Sequence, residues 1–172
     1  MMILVYGGSG SGKSEFAENL CEKMPKKFYV ATMSVNDAES ILRIKKHQAQ
    51  RASKNFITIE QSRNVGEAAE KITPESTVLL ECLSNLVANE MFASPLQKSP
   101  DALTEKILSD IETLSSHCRN LVIVTNNIFD DGIEYDSTTR TYMDVLSKIN
   151  CALAARAEKA YEVVAGIPLE LK

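Results

Sequence analysis

Eight residues near the start of the chain carry the clearest chemistry. Gly7-Gly8-Ser9-Gly10-Ser11-Gly12-Lys13-Ser14 fits the pattern G-x-x-x-x-G-K-[ST] and holds four of the chain's seven glycines. Glycine-rich backbone can turn successive N–H groups inward and form a nest for phosphate oxygens. A helix that starts directly after the loop adds the positive end of its dipole at the same point. Lys13 supplies a point charge for the β- and γ-phosphates. The Ser14 hydroxyl is a ligand for the Mg²⁺ that bridges them. The chemistry predicted is nucleoside triphosphate binding, with the reaction left open. The competing reading is a flexible Gly/Ser turn with an incidental lysine. The flanks argue against it, because an apolar run precedes the loop and helical periodicity follows it.

Two further places could take part. Glu81 ends the apolar run Val78-Leu79-Leu80. Phosphate-loop enzymes keep an acid, usually Asp, at the end of a second buried strand to hold Mg²⁺ directly or through water. Glu81 is therefore a candidate metal-linked residue, against the alternative of an ordinary strand-terminal carboxylate. His47 belongs to a stripe, Glu39, Arg43, His47 and Arg51, with a spacing of four. In a helix these share one face. Arg43 and Arg51 could grip phosphate oxygens bidentately and would disfavour the imidazolium form of His47. A neutral imidazole can attack phosphorus and hold the group covalently. On spacing alone, a solvated charged face is the simpler account of this stripe. The other histidine, His117, falls at a helix end, where a cation complements the dipole.

The elements that must position these residues alternate short apolar strands with amphipathic helices. Strands are expected at Met2–Tyr6, Lys27–Thr32, Phe56–Ile59, Thr77–Glu81, Leu121–Thr125, Ala160–Gly166 and Pro168–Leu171. Helices are expected at Lys13–Met24, Asp37–Arg51, Arg63–Ile72, Leu83–Phe92, from Pro100 through a stripe of Leu103, Ile107, Ile111 and Leu114, and from about Asp136 to Lys159. Ser99 is a candidate cap for the helix at Pro100. The pattern predicts one α/β domain over residues 1–172, a P-loop NTPase-like, mostly parallel sheet with helices on both faces.

Composition is compatible with that fold. The 172 residues are 44% hydrophobic and 24% charged, which excludes whole-chain disorder, collagen and coiled coil. A net charge of −4 and the absence of Trp argue against a nucleic-acid-binding role. No apolar run approaches a membrane span, and the first residues do not read as a signal peptide, so a cytoplasmic protein is expected. Cys21, Cys82, Cys118 and Cys151 form no C-x-x-C pair. They are expected to be reduced and mostly buried, without zinc or redox function.

Taken together, these residues resemble the bifunctional adenosylcobinamide kinase / adenosylcobinamide-phosphate guanylyltransferase family of cobalamin biosynthesis. The resemblance runs from the phosphate loop to the final GIPLELK. It includes Tyr29 to Thr32, the R-I-x-x-H-x-x-x-R run from Arg43 to Arg51, T-x-E at Thr58 to Glu60, and Leu79 to Cys82 followed by Asn85, Asn89 and Phe92. Val124 to Asn126 and Arg140 complete it. It implies two reactions: phosphorylation of the aminopropanol hydroxyl of adenosylcobinamide by ATP or GTP, then transfer of GMP from GTP onto that phosphate through a covalent histidine intermediate. By alignment that histidine is His47. The resemblance also implies guanine-nucleotide contacts from Thr32, Met33, Ser34, Glu60 and Glu81, and a homotrimer, beside the Mg²⁺ that the phosphate-loop chemistry assigns to Ser14 and Glu81. This chain departs from the family pattern at Asn127, where members commonly carry Glu, and lacks the proline that follows in them. The alternatives are another phosphate-loop small-molecule kinase without guanylyl transfer, or a GTP-binding module. The latter usually reads guanine through N-K-x-D, and that motif is absent from the sequence.

Overall fold

The computed structural model describes residues 1–34, 54–93, 99–129 and 132–172. The helix expected over 37–51 lies outside these residues, as does most of the expected 94–100 loop. Seven strands form one sheet: β1 (Met2–Tyr6), β2 (Lys27–Ala31), β3 (Ile57–Glu60), β4 (Thr77–Glu81), β5 (Asn120–Val124), β6 (Lys159–Val164) and β7 (Ile167–Glu170). Their order is β3-β2-β4-β5-β1-β6-β7. The pairs among β1 to β6 are parallel, and β7 returns antiparallel to β6. The helices are α1 (Lys13–Leu20), α2 (Leu83–Met91), α3 (Pro100–Ser116) and α4 (Ser137–Arg156), with a 3-10 helix at Val65–Lys71.

The central strands are apolar almost without interruption because both of their faces are covered. Side chains alternate between two cores. Val78, Leu80, Leu121 and Ile123 join Leu83, Leu86, Ile107, Ile111, Val145 and Ile149 beneath α2, α3 and α4. Leu79, Val122 and Val124 join Ala17 of α1, with Phe16 and Leu20 packed alongside. The expected stripe on α3 (Leu103, Ile107, Ile111 and Leu114) is buried throughout. Ser99 caps that helix by accepting from the Ala102 N–H at 3.3 Å, and Pro100 takes its first position.

Several strand ends shift by one or two residues from the sequence expectation, and three helical segments depart from it for local reasons. α1 stops at Leu20 because the chain tightens into three-residue turns, with Cys21 N donating to Glu18 O and Met24 N to Cys21 O, both at 3.1 Å. Residues 65–71 wind as a 3-10 helix, closed at its start by Glu67 N to Asn64 O at 2.9 Å. Gly66 lies so close to α3 that a Cβ there would sit 3.2 Å from Asp110 Oδ1. α4 ends at Arg156 because Glu158 N turns to bond Met2 O at 3.0 Å, and β6 then starts at Lys159.

All four cysteines are free thiols. Cys21 is buried, and burial pushes its pKa up to about 12. Cys118 is half-buried and pushed up to about 11 by the same cause. The expectation that the cysteines are mostly buried holds for Cys21 alone: Cys82 and Cys118 are half-buried, and Cys151 faces solvent on α4. His117 stands at the C-cap of α3, with Nδ1 2.8 Å from Thr113 O. No helix among the described residues is long and apolar enough to cross a membrane.

Candidate active site

The register of the sheet brings the strand ends level. Ala31 pairs with Glu60 on one side and Glu81 on the other, Glu81 pairs with Val124, and Val124 pairs with Val5. The segments that leave these strands therefore open on one edge of the sheet. This is the crevice beyond the carboxyl ends of the strands, where open α/β sheets bind ligands.

The phosphate loop joins β1 to α1 and is braced on both sides. Asn127 N donates to Gly7 O at 2.9 Å, and Gly166 N donates to Ser11 O at 2.8 Å. Two glycines are dictated by space or conformation. A Cβ at Gly7 would lie 2.6 Å from Val163 O, and Gly12 has φ +90° with Gly166 Cα only 3.2 Å from where its Cβ would be. Lys13 is buried, and its Nζ donates to Gly8 O at 3.0 Å. Burial pulls the Lys13 pKa below its ordinary value, while negative charge on Cys82 and Glu81 would act against that shift. An ammonium held this way can exchange one backbone carbonyl for phosphate oxygens with little movement.

Ser14 Oγ donates to Glu81 Oε1 at 2.5 Å, and Glu81 Oε2 is buried with no hydrogen-bond partner. An orphaned carboxylate oxygen beside a hydroxyl is the hard-oxygen donor set that suits Mg²⁺, which is usually held by one or two carboxylates plus phosphates and water. No cluster of three or more His, Cys, Asp or Glu that could hold a metal occurs among the described residues. An ion here would thus lean on the nucleotide for its remaining ligands.

Thr32 is fully buried. Its hydroxyl donates to Cys82 O at 2.8 Å and accepts from Cys82 N at 2.7 Å, locking the end of β2 to the residue after Glu81. That leaves Met33 and Ser34 half-buried at the mouth of the crevice. Glu60 is exposed at the end of β3. The structure thus gathers Gly7 to Ser14, Thr32 to Ser34, Glu60 and Glu81 along one edge. Arg43, His47 and Arg51 lie outside the described residues.

Several polar residues of the crevice carried no role in the sequence reading. Asn126 Nδ2 donates to Ser84 Oγ at 2.5 Å, Cys82 Sγ lies 3.0 Å from Ser84 Oγ, and Tyr142 OH donates to Ser84 O at 3.2 Å. This cluster ties α2, the end of β5 and α4 together. Burial pushes the Tyr142 phenol up to about 12, so it remains a donor. Asn89 binds the loops after β2 and β3. Asn89 and Asn126 stand out in the sequence only as family-pattern residues, because their partners lie far away along the chain.

The family model described as cobinamide kinase / cobinamide phosphate guanyltransferase, CobU, matches residues 3–171. The chain belongs to the CobU family. It is 33% identical over 182 residues to the bifunctional adenosylcobalamin biosynthesis protein CobU of Escherichia coli (strain K12), covering 100% of each. Its identity to the protein of the same name from Salmonella typhimurium is 32%, again over the full length of both. The CobP protein of Pseudomonas aeruginosa is 29% identical, covering 100% of this chain and 98% of that one. Among solved structures, an ATP synthase subunit NeqB matches with a TM-score of 0.53 at 14% identity, over 94% of this chain and 44% of that one. A Pyrococcus horikoshii OT3 protein matches with a TM-score of 0.53 at 10% identity, over 99% and 85%. These two likenesses concern the fold alone. Membership of the CobU family makes the chain an enzyme of the kinase and guanylyltransferase class that uses nucleotides.

Proposed function

We propose that this CobU-family chain phosphorylates adenosylcobinamide with ATP or GTP and then transfers GMP from GTP onto the resulting phosphate. The observation that carries the reading is the phosphate loop with its buried Lys13, set against Ser14 and the half-satisfied carboxylate of Glu81. Family membership over nearly the whole chain supports the pair of reactions and sets aside a kinase alone or a regulatory GTP-binding module.

In the guanylyl transfer, backbone N–H groups of Gly8 to Ser14 bind the phosphates of GTP. Lys13 exchanges Gly8 O for phosphate oxygens. A ring nitrogen of neutral His47 forms a bond to the α-phosphorus as the bond from that phosphorus to the bridging oxygen breaks, and pyrophosphate leaves with the electron pair. Lys13, Arg43 and Arg51 offset the charge that develops. A phosphate oxygen of adenosylcobinamide phosphate then attacks the same phosphorus. The N–P bond breaks, adenosylcobinamide-GDP forms, and His47 is regenerated. Thr32, Met33, Ser34 and Glu60 contact the guanine nucleotide in this reading. Ser14 Oγ and Glu81 would hold Mg²⁺, which supplies charge neutralisation at the phosphates when bound.

The reading extends to a cytoplasmic homotrimer. Ile167, Leu169 and Leu171 are exposed at alternate positions on the β7 side of the molecule, which supports association through that face. Incubation with GTP and adenosylcobinamide phosphate tests the function. Chromatography is expected to show adenosylcobinamide-GDP and pyrophosphate in equal amounts. Release of inorganic phosphate from GTP with no corrinoid product would contradict the assignment.

A further inference from the structure

β2 and β3 form the outer part of the sheet on the nucleotide side, and β3 is short, with only Ile59 of its four residues buried. The loops that follow these strands are 32–34 and 61–64, and the second is held to the end of β2 by one backbone bond, from Gln61 N to Ala31 O at 2.9 Å. Thr32 is also tied to Glu81 and Cys82 at the end of β4, and two consecutive residues of α2 between them reach both loops. Asn89 Nδ2 donates to Thr32 O at 2.7 Å and to Ser62 O at 3.0 Å, while its Oδ1 accepts from Ser34 Oγ at 3.1 Å. Glu90 Oε1 accepts from Asn64 N at 2.6 Å and pairs with Lys106, whose Nζ also donates to Asn64 Oδ1 at 2.7 Å. Both donors and the acceptor of the Asn89 amide are thus in use. No other side chain of this size offers two donors and an acceptor in that arrangement.

We propose that Asn89 is a positioning residue for the base end of the nucleotide. It holds loop 32–34 against the loop after β3, and so fixes the distance between the two segments that read guanine. This rests on the reading that Thr32 to Ser34 and Glu60 contact the guanine nucleotide. The phosphate end is supported by different contacts, from Asn127 N to Gly7 O and from Gly166 N to Ser11 O. The two ends of the ligand can therefore be separated by experiment. Replacing Asn89 by Asp keeps the shape but turns a carboxylate oxygen toward two carbonyl oxygens, so it should disturb the loops at least as much as Ala.

The test is calorimetric titration of the full chain with two ligands, Mg-GTP and Mg-tripolyphosphate, which has phosphates and no base. For Asn89→Ala and Asn89→Asp, the Kd for GTP is expected to rise about tenfold or more, while that for tripolyphosphate stays within about twofold. Unchanged GTP affinity, or equal weakening of both ligands, would overturn the proposal. Should Asn89→Ala fail to fold, Asn89→Ser provides the same comparison with a side chain able to keep one bond. Two controls separate this proposal from the reading beneath it. Lys13→Ala is expected to weaken both ligands, and Glu60→Gln to weaken GTP alone. If Glu60→Gln leaves GTP binding intact while Asn89→Ala weakens it, Glu60 is not a base contact but the Asn89 clamp stands. If neither weakens it, the clamp falls.

Discussion

At the scale of single residues, two side chains in the crevice make separable demands. Glu81 has one oxygen bonded to Ser14 and one buried and unpartnered. A cation at that oxygen would complete it. Glu81→Gln keeps the size but loses the charge, and is expected to raise the Mg²⁺ concentration needed for half-maximal GTP turnover by roughly tenfold to a hundredfold. A magnesium titration with an unaltered midpoint would remove Glu81 from the metal site. Lys13 is the proposed partner of the phosphates themselves. Among the described residues its Nζ bonds a single backbone carbonyl, Gly8 O, so Lys13→Ala should fold normally. Both transfer reactions are expected to fall by on the order of a hundredfold or more. Loss of only one would mean that the two reactions do not share the loop. Asn127 bonds the phosphate loop through its backbone N–H and accepts from Phe129 N with its side chain at 3.2 Å. An amide suffices for that structural part.

At the scale of elements, the helix starts are the clearest handles. Ser99→Ala removes the hydroxyl that accepts from Ala102 N and should destabilise the protein by about 1 kcal/mol in chemical denaturation. A change near zero would mean that the α3 start is held by Pro100 alone. Asp136 caps α4. The Thr139 backbone N–H and hydroxyl, with the Thr138 N–H, hold its carboxyl below the usual 3.8. A depressed carboxylate pKa contributes stability that is fully present above the unfolded value and lost as pH falls through the folded one. The gap in Tm between wild type and Asp136→Ala is therefore expected to hold above about pH 4 and to shrink as pH falls below 3.8. A gap that widens in acid would reverse the sign of this account.

These elements also show what a sequence can and cannot reveal. β4 and β5 were plain because burial on both faces leaves only apolar side chains to choose from. The α3 cap was plain because Ser99-Pro100 is a local signal. The 3-10 winding of 65–71 was hidden because it depends on how closely Gly66 meets α3. The Asn89 bonds were hidden for the same kind of reason, since its partner Thr32 is 57 residues away along the chain. Local chemistry is written in adjacent residues, whereas contacts between loops appear only once the sheet has set the strand ends level.

At the scale of the whole molecule, the sheet serves mainly to align strand ends. Its crevice gathers the phosphate loop, Glu81 and the loops after β2 and β3. In the proposed mechanism, the guanylyl transfer runs through a nucleophile supplied by the chain itself, His47. The most direct measurement uses GTP labelled at the α-phosphate and no corrinoid acceptor. The account predicts acid-labile, base-stable label on the wild-type protein, its discharge on adding adenosylcobinamide phosphate, and no label on His47→Ala. Full labelling of His47→Ala, or wild-type protein that turns over GTP to product while never carrying label, would contradict it.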